Sequence, residues 1–214
     1  MITLSSRQRE ELVQISTEVR LPARTIIYRE DAAAEWIYAV AVGTVKSYRD
    51  LPSGRRALAI FLFVNDLFGL AENGRYVNTT EAVVPVTLCR FSLSELMGLL
   101  QQDAALQFRF LEKVTHELCE SQRRAILINR RDATGRLAMF VALMAARTRQ
   151  AGQPEGDVPL PMSRSDIADF IGLSLESVSR ASADLERRGL VKFESRHRAR
   201  ILDRAEFDKL VAAV

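Results

Sequence analysis

The chain has 214 residues, 48% of them hydrophobic, and a formal net charge of +3. This length suits one large or two small domains, and so small a net charge is weak evidence for a nucleic-acid partner. No apolar run reaches the roughly 20 residues that cross a bilayer, and the first residues do not look like a signal peptide. We therefore expect a cytoplasmic protein without a membrane partner, in which Cys89 and Cys119 stay reduced.

Short strand-like runs separated by turn residues dominate residues 24 to 91, after a predicted helix at Glu10–Ser16. The runs are Thr25–Tyr28, Trp36–Val40, Thr44–Tyr48, Ala57–Phe61, Ala82–Val84 and Thr87–Phe91. Several short strands at nearly regular spacing predict a small β-barrel or sandwich.

A long helix is predicted over residues 103–131, and it carries a heptad stripe. The stripe consists of Leu111, Val114, Leu118, Ser121, Ala125 and Ile128. A stripe this narrow suits a partner helix, which predicts a homodimer; the alternative is that it packs on the chain's own barrel. A break at Asp132–Gly135, a helix at Arg136–Arg149 and a polar loop at 151–157 follow.

Residues 163–190 have the pattern of a helix-turn-helix. Ser163 and Asp166 resemble a capping box, Gly172 can take the left-handed conformation that ends a helix, and Ser174 can cap a second helix. Gly189 is expected to end that helix, whose inward face would consist of Val178, Ala181 and Leu185. The alternative is an ordinary helical hairpin, but the spacing favours a helix-turn-helix.

A β-hairpin wing is predicted after this motif. Its strands are Leu190–Phe193 and Ala199–Leu202, joined by a tip at 194–198. From residue 174 to 202 seven basic residues stand against four acidic ones, an excess that suits contact with phosphates. The basic residues are Arg180, Arg187, Arg188, Lys192, Arg196, Arg198 and Arg200.

Together these segments resemble the CRP/FNR superfamily of bacterial regulators, in particular its FNR/FixK branch. The resemblance is carried by residues 43–48, 53–56, 65–69 and 135–140, and most specifically by 161–180. It implies an α+β fold with an N-terminal cyclic-nucleotide-binding-like β-roll (1–102), a dimerisation helix (103–131) and a C-terminal winged helix-turn-helix (132–214). Asn65 departs from the family's usual glycine, but asparagine tolerates left-handed dihedral angles.

The resemblance also implies how the second helix would read DNA. Glu176, Ser179 and Arg180 match the base-reading positions of the FNR/FixK branch, and Leu175 stands where CRP has an arginine. Arg180 can bind guanine, Glu176 can accept from cytosine N4, and Leu175 can touch a thymine methyl. We therefore expect an inverted repeat of a TTGA-type half-site. The candidate phosphate contacts are Arg164, Ser174, Ser177 and Arg196.

The sensor half lacks the groups by which family members bind their effectors. Cyclic-AMP binders carry a glutamate soon after the Phe-Gly turn, whereas Leu70 follows Gly69 here. No arginine directly precedes Thr79 or Thr80, and Arg75 lies several residues before them. Two cysteines cannot make the four-cysteine iron–sulfur site of FNR, so we expect no cofactor and no metal. The alternative is a regulator gated by an unidentified small molecule or by a redox signal, for example through Cys119.

No motif indicates an enzyme: the chain has no nucleophile elbow, phosphate loop, metal-binding helix or paired-carboxylate motif. A ligand-binding module that acts on a protein partner is a further alternative, but residues 163–202 argue for DNA. An activator would also contact RNA polymerase, and fold analogy suggests the loop at Glu72–Asn78.

Overall fold

The computed structural model describes residues 5–54, 56–130, 132–150 and 156–212, with the backbone alone at positions 116, 120, 123 and 150. The chain divides into two compact units, Met1–Ser121 and Gln122–Val214. The boundary falls inside one long helix. The α+β fold is confirmed, whereas the finer division at 102/103 and 131/132 stays a prediction.

The first unit is a sandwich of two four-stranded antiparallel sheets, with the strand orders β1-β10-β3-β6 and β2-β9-β4-β5, and a small β7-β8 hairpin. Its strands are β1 (Ser16–Leu21), β2 (Ile26–Tyr28), β3 (Trp36–Val42), β4 (Val45–Asp50), β5 (Arg56–Leu62), β6 (Leu67–Phe68), β7 (Ala71–Glu72), β8 (Arg75–Tyr76), β9 (Thr79–Ala82) and β10 (Val86–Ser92). Of the two architectures predicted, a small barrel or a sandwich, the structure has the sandwich. Arg55, part of one family-like segment, lies outside the described residues.

Two local predictions in this unit are wrong. The first helix, α1, spans Ser6–Gln14 rather than Glu10–Ser16, because Ser5 and Gln8 form a capping box at its start. Ser16 instead begins β1, a strand that the sequence pattern missed. The strand predicted at Ala82–Val84 is also misplaced, because β9 ends at Ala82. The polar residues of β9 pair with β4, and the Lys46 ammonium of β4 lies 3.3 Å from the Glu81 carboxylate.

Aromatic rings fill much of the sandwich interior. Tyr28 stacks on Tyr76 with ring centroids 3.8 Å apart, and Tyr38 stacks on Phe68 at 5.1 Å. The Tyr76 hydroxyl donates to the Trp36 carbonyl at 2.8 Å and accepts from the Trp36 N–H at 3.2 Å. Burial raises the pKa of Tyr28 and of Tyr76 above the ordinary value, so both phenols stay neutral. The interior is therefore a packed core with its own hydrogen bonds.

Two helices follow the sandwich: α2 (Leu93–Gln102) and α3 (Ala104–Asn129). The predicted long helix is confirmed to within two residues at each end. Asp103 begins α3 by accepting from the Leu106 N–H at 2.9 Å. Lys113, on α3, lies 3.4 Å from the Asp66 carboxylate, which is only 1% exposed. The adjoining turn contains Asn65 at φ 73°, so asparagine does adopt the left-handed conformation expected of it.

The second unit contains the last turns of α3, α4 (Ala133–Gln150), β11 (Asp157–Pro159), α5 (Arg164–Ile171), α6 (Leu175–Arg187), β12 (Val191–Ser195), β13 (Arg198–Ile201) and α7 (Arg204–Ala212). Helix α4 begins three residues before its predicted start, because the Asp132 carboxylate accepts from the Gly135 N–H. The predicted hairpin of β12 and β13 is confirmed, and β11 adds a third strand that was missed. Most of the predicted polar loop, 151–155, lies outside the described residues.

Candidate nucleic-acid interface

Capping residues mark both ends of α5 and the start of α6. The Ser163 hydroxyl accepts from the Asp166 N–H at 3.0 Å, and the Asp166 carboxylate accepts from the Ser163 N–H at 3.2 Å. Gly172 ends α5 at φ 68° and ψ 39°, in the left-handed region. Ser174 then caps α6 by accepting from the Ser177 N–H at 3.1 Å. Gly189, at φ 65°, follows the end of α6. The helix-turn-helix is therefore present as the sequence predicts.

Helix α6 has one buried and one exposed face. The buried face consists of Val178, Ala181, Ser182 and Leu185. The four predicted base readers are all exposed: Leu175, Glu176, Ser179 and Arg180. At about 100° per residue they span an arc of about 140° on the side away from the buried face. Leu175 is 51% exposed, so the exposed face also offers an apolar side chain beside its polar ones.

Polar contacts order the beginning of this exposed face. The Ser174 hydroxyl donates to the Ser177 hydroxyl at 2.9 Å, and the Arg180 guanidinium donates to the same Ser177 oxygen at 3.3 Å. Among the described residues Arg180 has no carboxylate partner. A cation without a carboxylate partner, one turn into an exposed helix, can make a bidentate contact with a planar acceptor pair.

The four predicted phosphate contacts do not all share this surface. Ser174 and Arg196 are exposed, and Ser177 is half-buried. Arg164 is turned inward: it donates to the Ser182 hydroxyl at 3.0 Å, and its guanidinium carbon lies 5.3 Å from the centre of the Phe193 ring. It joins α5 to α6 and β12, a packing role that its place in the sequence did not reveal.

Ion pairs divide the seven basic residues of the motif and wing into two groups. Four have carboxylate partners: Arg187 and Arg188 pair with Asp184, Arg198 with Asp157, and Arg200 with Glu194 at 2.9 Å. Hydrogen bonding from Arg198 lowers the pKa of Asp157, so this pair that joins β13 to β11 stays ionised at neutral pH. The other three are exposed and lack a carboxylate partner in the described part of the chain: Arg180, Lys192 and Arg196. Sequence reasoning counted Lys192 as basic but did not single it out.

The heptad stripe of α3 is largely exposed. In the first unit Leu111 and Leu118 are each 58% exposed and Ser121 is exposed, whereas Val114 is half-buried. In the second unit Ala125 is exposed and Ile128 half-buried. The sequence analysis missed Phe108 and Ile126, which are also exposed large apolar residues of this helix. Phe108 lies three residues before Leu111, whereas the alternating spacing of the stripe leads back to position 107, so the spacing rule does not include Phe108.

The sequence analysis expected no cofactor, no metal and no membrane partner. Cys89 is half-buried in β10 and Cys119 is exposed on α3. Among the described residues no group of three or more His, Cys, Asp or Glu is arranged to hold a metal ion. None of the helices described is long and apolar enough to cross a membrane.

Comparison with known proteins gives matches over nearly the whole chain. Residues 135–210 match the Crp-like helix-turn-helix domain, and residues 18–103 match the cyclic nucleotide-binding domain. The transcriptional activatory protein AadR of Rhodopseudomonas palustris is 31% identical, over 98% of this chain and 87% of its own. The nitrogen fixation regulation protein FixK of Bradyrhizobium diazoefficiens is 29% identical, over 99% of this chain and 89% of its own. The solved structure of FixK2 from Bradyrhizobium japonicum has a TM-score of 0.85 and 31% identity, and the match covers 94% of this chain and 99% of that one.

Proposed function

Since the chain belongs to the CRP/FNR family of transcription regulators, we propose that it binds an inverted repeat of a TTGA-type half-site as a homodimer and activates transcription, without cyclic AMP or an iron–sulfur cluster. Its FixK-like relatives are transcription regulators and not enzymes, and AadR is named as an activatory protein.

The exposed face of α6 is the observation that carries this proposal. It offers one cation, Arg180, and one carboxylate, Glu176, on neighbouring turns. Arginine pairs with guanine O6 and N7, and a carboxylate accepts from cytosine N4, so the two together suit a single G·C pair. A TTGA half-site contains one such pair among A·T pairs, and Leu175 can contact a thymine methyl. Glu176 also lies in the first turn of α6, where its negative charge interacts favourably with the helix dipole whether or not it touches DNA.

Phosphate contacts would come from the exposed residues beside this face. Lys192 and Arg196 on the wing, free of carboxylate partners in the described residues, are the cations best able to release counterions from DNA. Ser174 and Ser177 at the start of α6 are candidates for hydrogen bonds to a phosphate, since helix N-termini favour anions. Arg164 retains a phosphate role in this proposal only through those N–H groups that Ser182 does not engage.

The homodimer is supported by the exposed stripe on α3. Leu111, Leu118, Ser121 and Ala125 follow heptad spacing, with Val114 and Ile128 at its half-buried edge. Full burial of an exposed side chain of this size contributes about 1.5–3 kcal/mol, so two leucines that are 58% exposed would gain about 1–2 kcal/mol each against a second copy. Dimerisation places two recognition helices on successive half-sites, which matches an inverted repeat.

The polar groups of the sensor half support the proposal that the protein acts without a cyclic nucleotide. A cyclic phosphate needs a cation, and the one cation of residues 70–80, Arg75, donates to the Asp31 carbonyl. Thr79 accepts from the Glu30 N–H at 3.1 Å, and Thr80 donates to the buried Ser47 hydroxyl at 3.3 Å. These polar groups are already used within the fold, which supports a regulator that acts without this ligand.

An activator also needs a surface for RNA polymerase. The loop at Glu72–Asn78 remains the proposed contact: Glu72 to Arg75 are exposed in the β7-β8 hairpin. This assignment rests on analogy with other members of the fold.

Titration of the protein into labelled duplexes tests the proposed specificity. We expect TTGAT-N4-ATCAA to bind at least about tenfold more tightly than a CRP-type TGTGA repeat, and inversion of the G·C pair in each half-site to cost about 1–3 kcal/mol per half-site. Equal affinity for the two repeats and for a scrambled duplex would contradict the proposal.

A further inference from the structure

The Arg136 side chain lies between the end of α3 and the turn of the helix-turn-helix. Its Nε donates to the Arg130 carbonyl, one residue beyond α3. Its Nη1 donates to the Ile171 carbonyl at 3.3 Å and to the Gly172 carbonyl at 3.2 Å. One guanidinium thus joins two segments that are about 40 residues apart in sequence.

The two carbonyls at Ile171 and Gly172 lie at the C-terminal end of α5. The last carbonyls of a helix have no intrahelical partner, and together they form the negative end of the helix dipole. An arginine fork suits them because it offers several donors in one plane. Ser174, the cap of α6, comes two residues after Gly172, so a fixed Gly172 also fixes where the recognition helix begins.

The Arg130 carbonyl is itself held in place by a second cluster. The Arg130 guanidinium donates to the Asp132 carboxylate at 2.6 Å and to the Val211 carbonyl, at the end of α7, at 3.3 Å. Asp132 in turn accepts from the Gly135 N–H. A Cβ at Gly135 would lie 1.9 Å from the Arg130 Nε, so a larger residue here would force the Arg130 guanidinium to move. The end of α3, the start of α4 and the end of α7 are therefore bound together beneath Arg136.

We propose that Arg136 is a positioning residue for DNA recognition, which holds the helix-turn-helix turn at a fixed place relative to the end of α3. The inference rests on the proposed function, because in a dimer formed through α3 this link sets the separation of the two recognition helices. That separation determines which half-site spacing is bound. Arg136 touches no base; it acts through the direction of α6.

The spacing preference of the full-length protein is the readout, because a general loss of folded protein lowers binding to all spacings alike. Wild type, Arg136→Gln and Arg149→Gln are titrated into TTGAT/ATCAA duplexes with central spacers of about three, four and five base pairs. Arg149 is the matched control: it is exposed near the far end of α4, and its replacement removes the same charge. Gly135→Ala is a second variant, which displaces the Arg130 guanidinium without removing a charge.

We expect wild type and Arg149→Gln to prefer one spacer. Arg136→Gln should lose about tenfold in affinity at that spacer and little at the other two, so that its profile flattens, and Gly135→Ala should change the profile in the same direction. A wild-type profile for Arg136→Gln, or an equal loss at all three spacers, overturns the inference. A wild-type protein that binds none of the duplexes removes the proposed function, and the inference with it.

Discussion

The two units of the molecule differ in whether their polar groups have partners within the fold. In the sandwich, Tyr76, Thr79, Thr80 and Arg75 all form hydrogen bonds within the fold. On α6 and the wing, Arg180, Lys192 and Arg196 are exposed and have no carboxylate partner in the described residues. Buried groups that are already satisfied gain little from a ligand, whereas unpartnered cations gain from a polyanion. The groups that would gain most from a binding partner therefore lie in the second unit.

The change with the largest expected effect removes the dimer. Leu118→Glu places a charge in the exposed stripe of α3, which should split the homodimer and weaken binding to the inverted repeat by about 10²–10⁴-fold through lost avidity. Light scattering and duplex titration measure the two effects. Ala105→Glu is the control, since it adds the same charge at an exposed position about 140° away around α3. A Leu118→Glu protein that stays a tight dimer means that the interface lies elsewhere.

Removal of one base reader should have the next largest effect. Arg180→Ala should lower specific affinity by about 1–3 kcal/mol and relax the choice at one base pair of each half-site. Titration into duplexes altered at single positions identifies that pair. If the variant still discriminates every position as wild type does, Arg180 does not read a base.

A change inside the sandwich tests whether its polar groups stabilise the fold rather than bind a ligand. Tyr76→Phe leaves the Trp36 N–H and carbonyl without their hydroxyl partner, so the free energy of unfolding should fall by about 1–2 kcal/mol. Chemical denaturation measures this loss, and DNA affinity at a temperature where the variant is folded should be unchanged. Unchanged stability with altered DNA binding would show that Tyr76 belongs to a regulatory site rather than to the core.

Removal of charges tests whether cations with and without carboxylate partners contribute differently to DNA binding. The double change Lys192→Gln and Arg196→Gln should reduce the slope of log affinity against log salt by about 4, one for each phosphate contact of the two subunits. The control, Arg187→Gln with Arg200→Gln, removes the same charge from cations that already have carboxylate partners and should change the slope by less. Equal slopes for the two double variants would break the distinction.

The smallest expected effect is the pH dependence of the α4 cap. Burial alone would raise the pKa of Asp132, but hydrogen bonds from Arg130 and from the Gly135 N–H outweigh it and hold the pKa below its ordinary 3.8. The stabilisation is therefore present above about pH 4 and lost as the pH falls through the folded-state pKa. Because Asp132 is partly exposed, about 0.5 kcal/mol or less is expected.

Denaturation of wild type and Asp132→Asn at several pH values checks this sign. Wild type should be the more stable at pH 6, with a difference that shrinks toward pH 3. A difference that grows on acidification would contradict the assignment.

Sequence reasoning worked best where local chemistry decides the structure. Ser163, Gly172 and Ser174 mark the helix-turn-helix by capping rules that need only a few neighbouring residues, and the structure confirms each of them. It failed for β1 and β11, because these strands depend on pairing with β10 and β13, which are distant in the chain.

The same limit applied to side chains whose role depends on distant partners. Arg164 looked like a phosphate contact, but its partners Ser182 and Phe193 come 18 or more residues later. Arg136 belonged to a recognisable motif, yet only the fold brings it to the Ile171 and Gly172 carbonyls. Exposure on α3 likewise separated Leu111 and Leu118 from Val114, which periodicity alone treats as equivalent.

The central claim is that the molecule recognises DNA without a ligand in its sensor half. The most direct test is titration into the TTGAT-N4-ATCAA duplex of protein shown by native mass spectrometry to carry no small molecule, with and without saturating cyclic AMP. We expect tight, selective binding and the same dissociation constant with and without cyclic AMP. Selective binding that appears only when cyclic AMP is added would contradict it.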